Sequence, residues 1–162
     1  NLMLGILKPT SGSILYDGID LAELDIKNFR QQTASVLATS VIFSDSIYSN
    51  IVVGKEIPKK ECMKYVEMAG FLEDIKKLPM GLETVLINNG AQLSGGQKQK
   101  LLITRALAST PKIIFLDEAT SWMDEKSQNI IEESIRDLKI TRIVIAHRLS
   151  TISNADKFLN IE

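Results

Sequence analysis

The stretch "KIIFLDEA" (residues 112–119) constrains the fold more than any other part of the chain. Its apolar residues run on without alternation and end on two adjacent acids. A strand with one face in water alternates. An uninterrupted apolar run needs cover on both faces, as inside a parallel sheet flanked by helices. A second such run, "TRIVIAH" (141–147), follows an amphipathic segment, "DEKSQNIIEESIRDLK", which puts Ile130, Ile131, Ser134, Ile135 and Leu138 on one helical side. "KFLNIE" is predicted as a third short strand. Strands alternating with helices imply right-handed parallel crossovers and an α/β sheet.

The rest of the chain fits around that sheet. "NLMLGILK" reads as the last turns of a helix already under way, stopped by Pro9, so the chain is expected to continue upstream. "SGSILYDGIDL" predicts a short strand with a turn at Asp17–Gly18. "IKNFRQQ" predicts a short helix and "TASVLA" a strand. From about Ser46 to Met80 the pattern is helical, with Pro58 near the start of one helix and Gly70 at its end. "GLETVLINNGAQ" reads as an irregular connector, and residues 94–109 as a helix. The helical middle reads as an inserted subdomain.

Charge and length narrow the function classes. At 162 residues the chain can bury a real core. A formal charge of −1 offers no electrostatic footprint for nucleic acid or anionic lipid. One cysteine, Cys62, excludes an internal disulfide framework. No apolar run approaches the length of about 18 residues that reads as a bilayer span.

In sheets of this kind ligands sit beyond the carboxyl ends of the strands. Asp117 and Glu118 fall at one such end and His147 at another. An aspartate there can hold a hydrated Mg²⁺, a neighbouring glutamate can deprotonate an attacking water, and a histidine can reach a transferred phosphoryl group. Two acids after a strand also make an ordinary solvated turn, and a histidine at a strand end is commonly structural. "LSGGQKQK" (93–100) is an unusual helix start, because glycine weakens a first turn. Ser94 can cap the helix, and Gly95 and Gly96 leave bare amides at its positive end, where side chains would hold an anion off. Taken alone, "SGGQ" is equally a flexible loop.

The ordered set "LSGGQ", "IIFLDE", "SWMD" and "IAHRLS" resembles the nucleotide-binding domain of ATP-binding-cassette (ABC) proteins. These stretches look like the signature motif, Walker B, the D-loop and the switch histidine. The resemblance covers essentially the whole chain. It implies an α/β, P-loop NTPase-like parallel sheet with an inserted helical subdomain. The domain would span 1–162, with the helical and signature subdomain at about 46–110 and the catalytic core lobe at about 1–45 and 111–162. It implies ATP and Mg²⁺ as ligands, with Asp117 as the metal acid, Glu118 as general base and His147 as γ-phosphate sensor. Ser94, Gly95, Gly96 and Gln97 would meet ATP held by a second nucleotide-binding domain in a homo- or heterodimer, and Asp124 would communicate across that dimer. Leu101, Leu102, Ala106 and Leu107 would anchor the helix behind the signature.

"FSDSIYSNI", "LPMGLETVL" and "TRIVIAHRLSTISNADK" resemble the exporter branch, above all bacterial peptide or bacteriocin exporters with fused permease and ATPase. That implies a transmembrane domain fused upstream, at the cytoplasmic face of the plasma membrane. Val41 to Ile51, including Phe43 and Ile47, would then dock the membrane half or serve as ordinary core. Three features depart from the family pattern. The Gly-rich phosphate loop is absent, so the chain alone is expected to bind ATP poorly and to be inactive. Ala38 stands where a Mg²⁺-contacting glutamine is usual. Trp122 and Met123 replace a small residue and Leu, and Asn88 replaces an acid. A catalytically impaired or regulatory module is therefore one alternative. A non-transport ABC ATPase of DNA repair or chromosome maintenance is another, disfavoured by the charge and by the closeness of the motifs.

Overall fold

In a computed structural model of the protein, residues 1–146 and 155–160 are described. In chain order, β1 (Leu15–Tyr16) and β2 (Ile19–Asp20) precede α1 (Ile26–Gln31) and β3 (Thr33–Val36). Next come α2 (Ile47–Val52), α3 (Lys59–Met68), α4 (Leu72–Lys76), a single 3-10 turn (Gly81–Glu83) and α5 (Gly95–Ala108). β4 (Ile113–Asp117), α6 (Glu125–Asp137) and β5 (Thr141–Ile145) complete the described elements.

β4 is the middle of a three-stranded parallel sheet in the order β3–β4–β5. Thr33 pairs with Ile113 and Val36 with Leu116 on one side, and Ile113 with Thr141 and Asp117 with Ile145 on the other. Ile114, Phe115 and Leu116 are all buried, so both faces of β4 are covered, as the unbroken apolar run requires. Each such side chain contributes about 1.5–3 kcal/mol on burial. β1 and β2 form a hairpin whose turn, Asp17–Gly18, has both residues at positive φ, as a tight two-residue turn demands.

Four expectations are corrected. Residues 1–8 form turns, not a helix tail, because Gly5 sits at φ +63° and breaks any right-handed run there. β5 forms but is not buried: Val144 and Ile145 stay exposed, since among the described residues β5 has a strand partner on one side only. The expected strand at "KFLNIE" does not form over 157–160, and 161–162 lie outside the described residues. On α6 the buried stripe is Ser127, Gln128, Ile131 and Ile135, while Ile130 and Leu138 lie at its exposed margin.

Two hydrophobic clusters meet at α5. One joins the sheet to α6 through Val36, Ile114, Leu116, Ile131 and Ile135, and takes Ile103, Ala106 and Leu107 from α5. The other gathers Ile47, Ile51, Val66, Phe71 and Leu86 from the helical middle, and takes Leu101 and Ala108. Leu102 packs against both. Of the pair considered for membrane docking, Ile47 is fully buried core, whereas Phe43 is half exposed.

A polar hub ties the segment after β3 to α5. Asn50 is fully buried. Its Nδ2 donates to the carbonyls of Phe43 (2.9 Å) and Ser46 (3.0 Å), and its Oδ1 accepts the Phe43 N–H (2.8 Å). Arg105 donates to Asn50 Oδ1 (2.8 Å), to the Asn50 carbonyl (2.7 Å) and to the Val41 carbonyl (2.7 Å), and its guanidinium lies 5.0 Å from the Phe43 ring centre. Burial lowers the Arg105 pKa, and these acceptors offset the cost of burying the charge. Lysine offers one compact donor group in place of this planar fork. Arg105→Lys is therefore expected to destabilise the chain almost as much as Arg105→Ala, by about 3 kcal/mol given the charged hydrogen bonds lost, read as a shift in the urea midpoint.

Candidate functional site

Ser94 caps α5 with a complete capping box. Its hydroxyl accepts the Gln97 N–H (3.2 Å), and the Gln97 side chain accepts the Ser94 N–H (2.9 Å). Gln97 also donates to Asp74 Oδ1 (3.1 Å), and Lys100 pairs with Asp74 Oδ2 (2.9 Å) in a largely buried contact. The start of α5 is thereby moored to α4. The amides of Gly95 and Gly96 are the first two of the helix and have no hydrogen-bond partner among the described residues. Asp74, Ser94, Gly95, Gly96, Gln97 and Lys100 line an open cleft of about 330 Å³ with Trp122, Met123 and Asp124.

Gly96 has a second, intramolecular reason. A Cβ on Gly96 would lie 3.0 Å from the Trp122 carbonyl oxygen, and one on Gly95 would lie 3.4 Å from the Trp122 indole. The loop after β4 therefore packs directly on the start of α5. Trp122 itself is largely exposed.

The parallel register brings the ends of β3 and β4 together. Ala38, just past β3, lines a second cleft of about 360 Å³ with Asp117, Glu118, Gly95 and Gln99. Asp117 is half-buried and Glu118 exposed. Glu118 adopts φ +49°, unusual for a residue with a side chain, and its N–H bonds the Ile145 carbonyl (3.1 Å). Gln99 bonds the Glu118 carbonyl, the Ser121 hydroxyl and the Trp122 N–H. His147 lies outside the described residues.

Asp124 is the N-cap of α6. Its carboxylate accepts the Ser127 N–H (2.9 Å) and hydroxyl (2.8 Å), and these bonds hold its pKa below the ordinary 3.8. No group of three or more His, Cys, Asp or Glu side chains that could hold a metal occurs among the described residues. Asp117 as a single carboxylate, with water and phosphate oxygens completing the shell, is a donor set that suits Mg²⁺ rather than a caged metal.

Sequence reasoning did not pick out Gln99, Asp74, Asn50 or Arg105. Gln99 sits in an amide-rich turn and Arg105 interrupts an apolar run, but the partners of both lie far away in the chain.

The sequence profile described as "ABC transporter" matches residues 1–121. The chain is 41% identical over 155 residues to the ATP-dependent lipid A-core flippase of Chromobacterium violaceum, covering 94% of this chain and 26% of that protein. It is 38% identical over 161 residues to the colicin V secretion/processing ATP-binding protein of Escherichia coli, covering 99% and 23%. A solved structure of a bacterial Atm1-family ABC exporter with ATP bound superposes with a TM-score of 0.90 at 35% identity, over 96% of this chain and 28% of that one. The chain spans only 12–26% of the length of the curated relatives it matches.

Two outcomes test this geometry. Gly96→Ala must displace the Trp122 backbone and is expected to cost about 1–3 kcal/mol. Gly95→Ala meets only the movable indole and should stay within about 0.5 kcal/mol of the native chain in urea denaturation. The folded Asp124 pKa lies below its unfolded value of 3.8. Its stabilisation is thus complete above that pH and is lost as pH falls through the lower folded pKa. Asp124→Ala should therefore lose less stability than the native chain on acidification below 3.8, measured by thermal melts across pH.

Proposed function

The chain belongs to the ABC transporter family, and from that premise we propose that it is the ATP-binding and ATP-hydrolysing domain of an exporter. The observation that carries the reading is the start of α5. Its cap is satisfied internally, while the Gly95 and Gly96 amides are left for an anion at the positive helix end. In this reading Ser94, Gly95 and Gly96 meet the terminal phosphate of ATP held by a second such domain. Gln97 and Asp124 contribute by holding their helix starts in shape, since their polar atoms engage Ser94, Asp74 and Ser127.

Asp117 would hold Mg²⁺, which when bound neutralises charge on the phosphates. Glu118 accepts a proton from the attacking water, and its exposed position at the end of β4 suits that task. His147 is assigned to sensing the γ-phosphate. Pairing of two domains on ATP and release after hydrolysis would drive membrane segments elsewhere in the protein, with this domain on their cytoplasmic face. Among the described residues no helix is long and apolar enough to cross a membrane. The two hydrophobic clusters support dividing the chain into a core lobe (about 1–45 and 111–162) and a helical subdomain (about 46–110), with α5 shared. The chain alone, without a Gly-rich phosphate loop, is assigned no turnover of its own. Export is the transport direction proposed, with peptide as one cargo class. Cargo selectivity is placed in membrane segments.

A second reading, an impaired or regulatory module, is favoured by one observation: Ala38 lines the cleft beside Asp117 and Glu118, where a longer polar side chain would reach into it. Steady-state ATPase assays on the full-length protein separate the two. Hydrolysis by the native protein with a loss of about 10²–10⁴-fold in Glu118→Gln, ATP-dependent pairing being retained, supports the active reading. No native hydrolysis supports the second, and an unaffected Glu118→Gln removes Glu118 from the base role.

A further inference from the structure

We infer that Gln99 is a positioning residue: it pins the loop that carries Glu118 onto α5 and so fixes the direction in which Glu118 points. The inference rests on the reading of Glu118 as the general base.

The Gln99 amide is spent entirely on this loop. Its Nε2 donates to the Glu118 carbonyl (3.1 Å) and to Ser121 Oγ (3.0 Å), and its Oε1 accepts the Trp122 N–H (3.0 Å). Both amide protons and the amide oxygen are thereby engaged. The residue so held is in an unfavourable conformation. Glu118 has φ +49°, and such a backbone persists only where its surroundings over-determine it. They do so here from two sides. The Glu118 N–H is held by the Ile145 carbonyl at the end of β5, and the Glu118 carbonyl is held by Gln99 from α5. The Ser121 N–H also bonds that carbonyl (3.1 Å), closing the turn behind it. With the peptide groups on both sides of its Cα fixed, φ and ψ of Glu118 are fixed, and the direction of its Cα–Cβ bond follows. The close approach of the Trp122 carbonyl to Gly96 shows that the loop has no slack against the helix. Without Gln99 the carbonyl of the left-handed Glu118 loses its anchor to α5, and the residue can relax toward a right-handed conformation, which swings the carboxylate away.

The test uses ATPase kinetics of the full-length protein with Gln99→Ala, Gln99→Glu and Ser121→Ala, alongside Glu118→Gln and the double variant Gln99→Ala/Glu118→Gln. Gln99→Ala and Gln99→Glu should lower kcat by about tenfold to a hundredfold, the cost of misplacing a reacting group by about 1 Å. Their KM for ATP should stay within about twofold, and ATP-dependent pairing and Tm should be kept, since the interaction lost acts on the transition state. Ser121→Ala removes one of the three bonds and should lower kcat less. In the Glu118→Gln background, Gln99→Ala should slow the residual rate no further, because Gln99 acts through Glu118. Native kcat in the Gln99 variants overturns the inference. So does a parallel fall of kcat, pairing and Tm, or an additive loss in the double variant. If Gln99 variants do not assemble, Ser121→Ala decides: an unchanged kcat overturns the inference. A native protein without hydrolysis, or an unaffected Glu118→Gln, refutes the assigned base and this inference with it. A dead Glu118→Gln beside unaffected Gln99 variants refutes this inference alone.

Discussion

The rest of the structure depends on α5 being buried on two sides at once. Ile103, Ala106 and Leu107 close the core over the sheet, while Leu101 and Ala108 close the core of the helical middle. A surface helix has one apolar stripe, and its position is correspondingly soft. A helix held between two close-packed cores cannot slide or roll without opening voids in one of them. Its first turn is accordingly a fixed platform, moored further by Gln97 and Lys100 to Asp74. The loop after β4 is built onto that platform through Gln99, and the segment after β3 through Arg105 and Asn50.

Much of the fold was legible because local rules and the global fold agree. The run "IIFLD" had to be covered on both faces, and it is. Ser94, read as the cap of its helix, does cap α5. Reading failed where context decides. "TRIVI" has the composition of a buried strand, but burial depends on neighbours that the run itself does not specify. "NLMLGILK" has helical composition, but one left-handed glycine outweighs it.

The candidate site was legible in residue type and not in wiring. Asp117 and Glu118 could be placed at a strand end from the pattern alone. That Gln97 and Asp124 spend their polar atoms on helix caps follows from hydrogen bonds seen only in three dimensions. Gln99 and Arg105 reach partners 19 to 64 positions away, and no local periodicity announces such pairs. The glycines were read as space left for a ligand. Gly96 is also space left for the chain's own backbone at Trp122, a reason that the sequence hides.

The sheet register has a kinetic corollary. β4 and β5 are separated by one helix, so a compact β4–α6–β5 unit can assemble from near neighbours. β3 pairs with β4 only by joining Thr33 to Ile113, across a span containing the entire helical middle. Closing so long a loop is repaid only after that middle has collapsed and drawn its ends together. Loop closure thus favours β4–β5 pairing before β3–β4 pairing, and with β3 comes Ala38, whose place is beside Asp117.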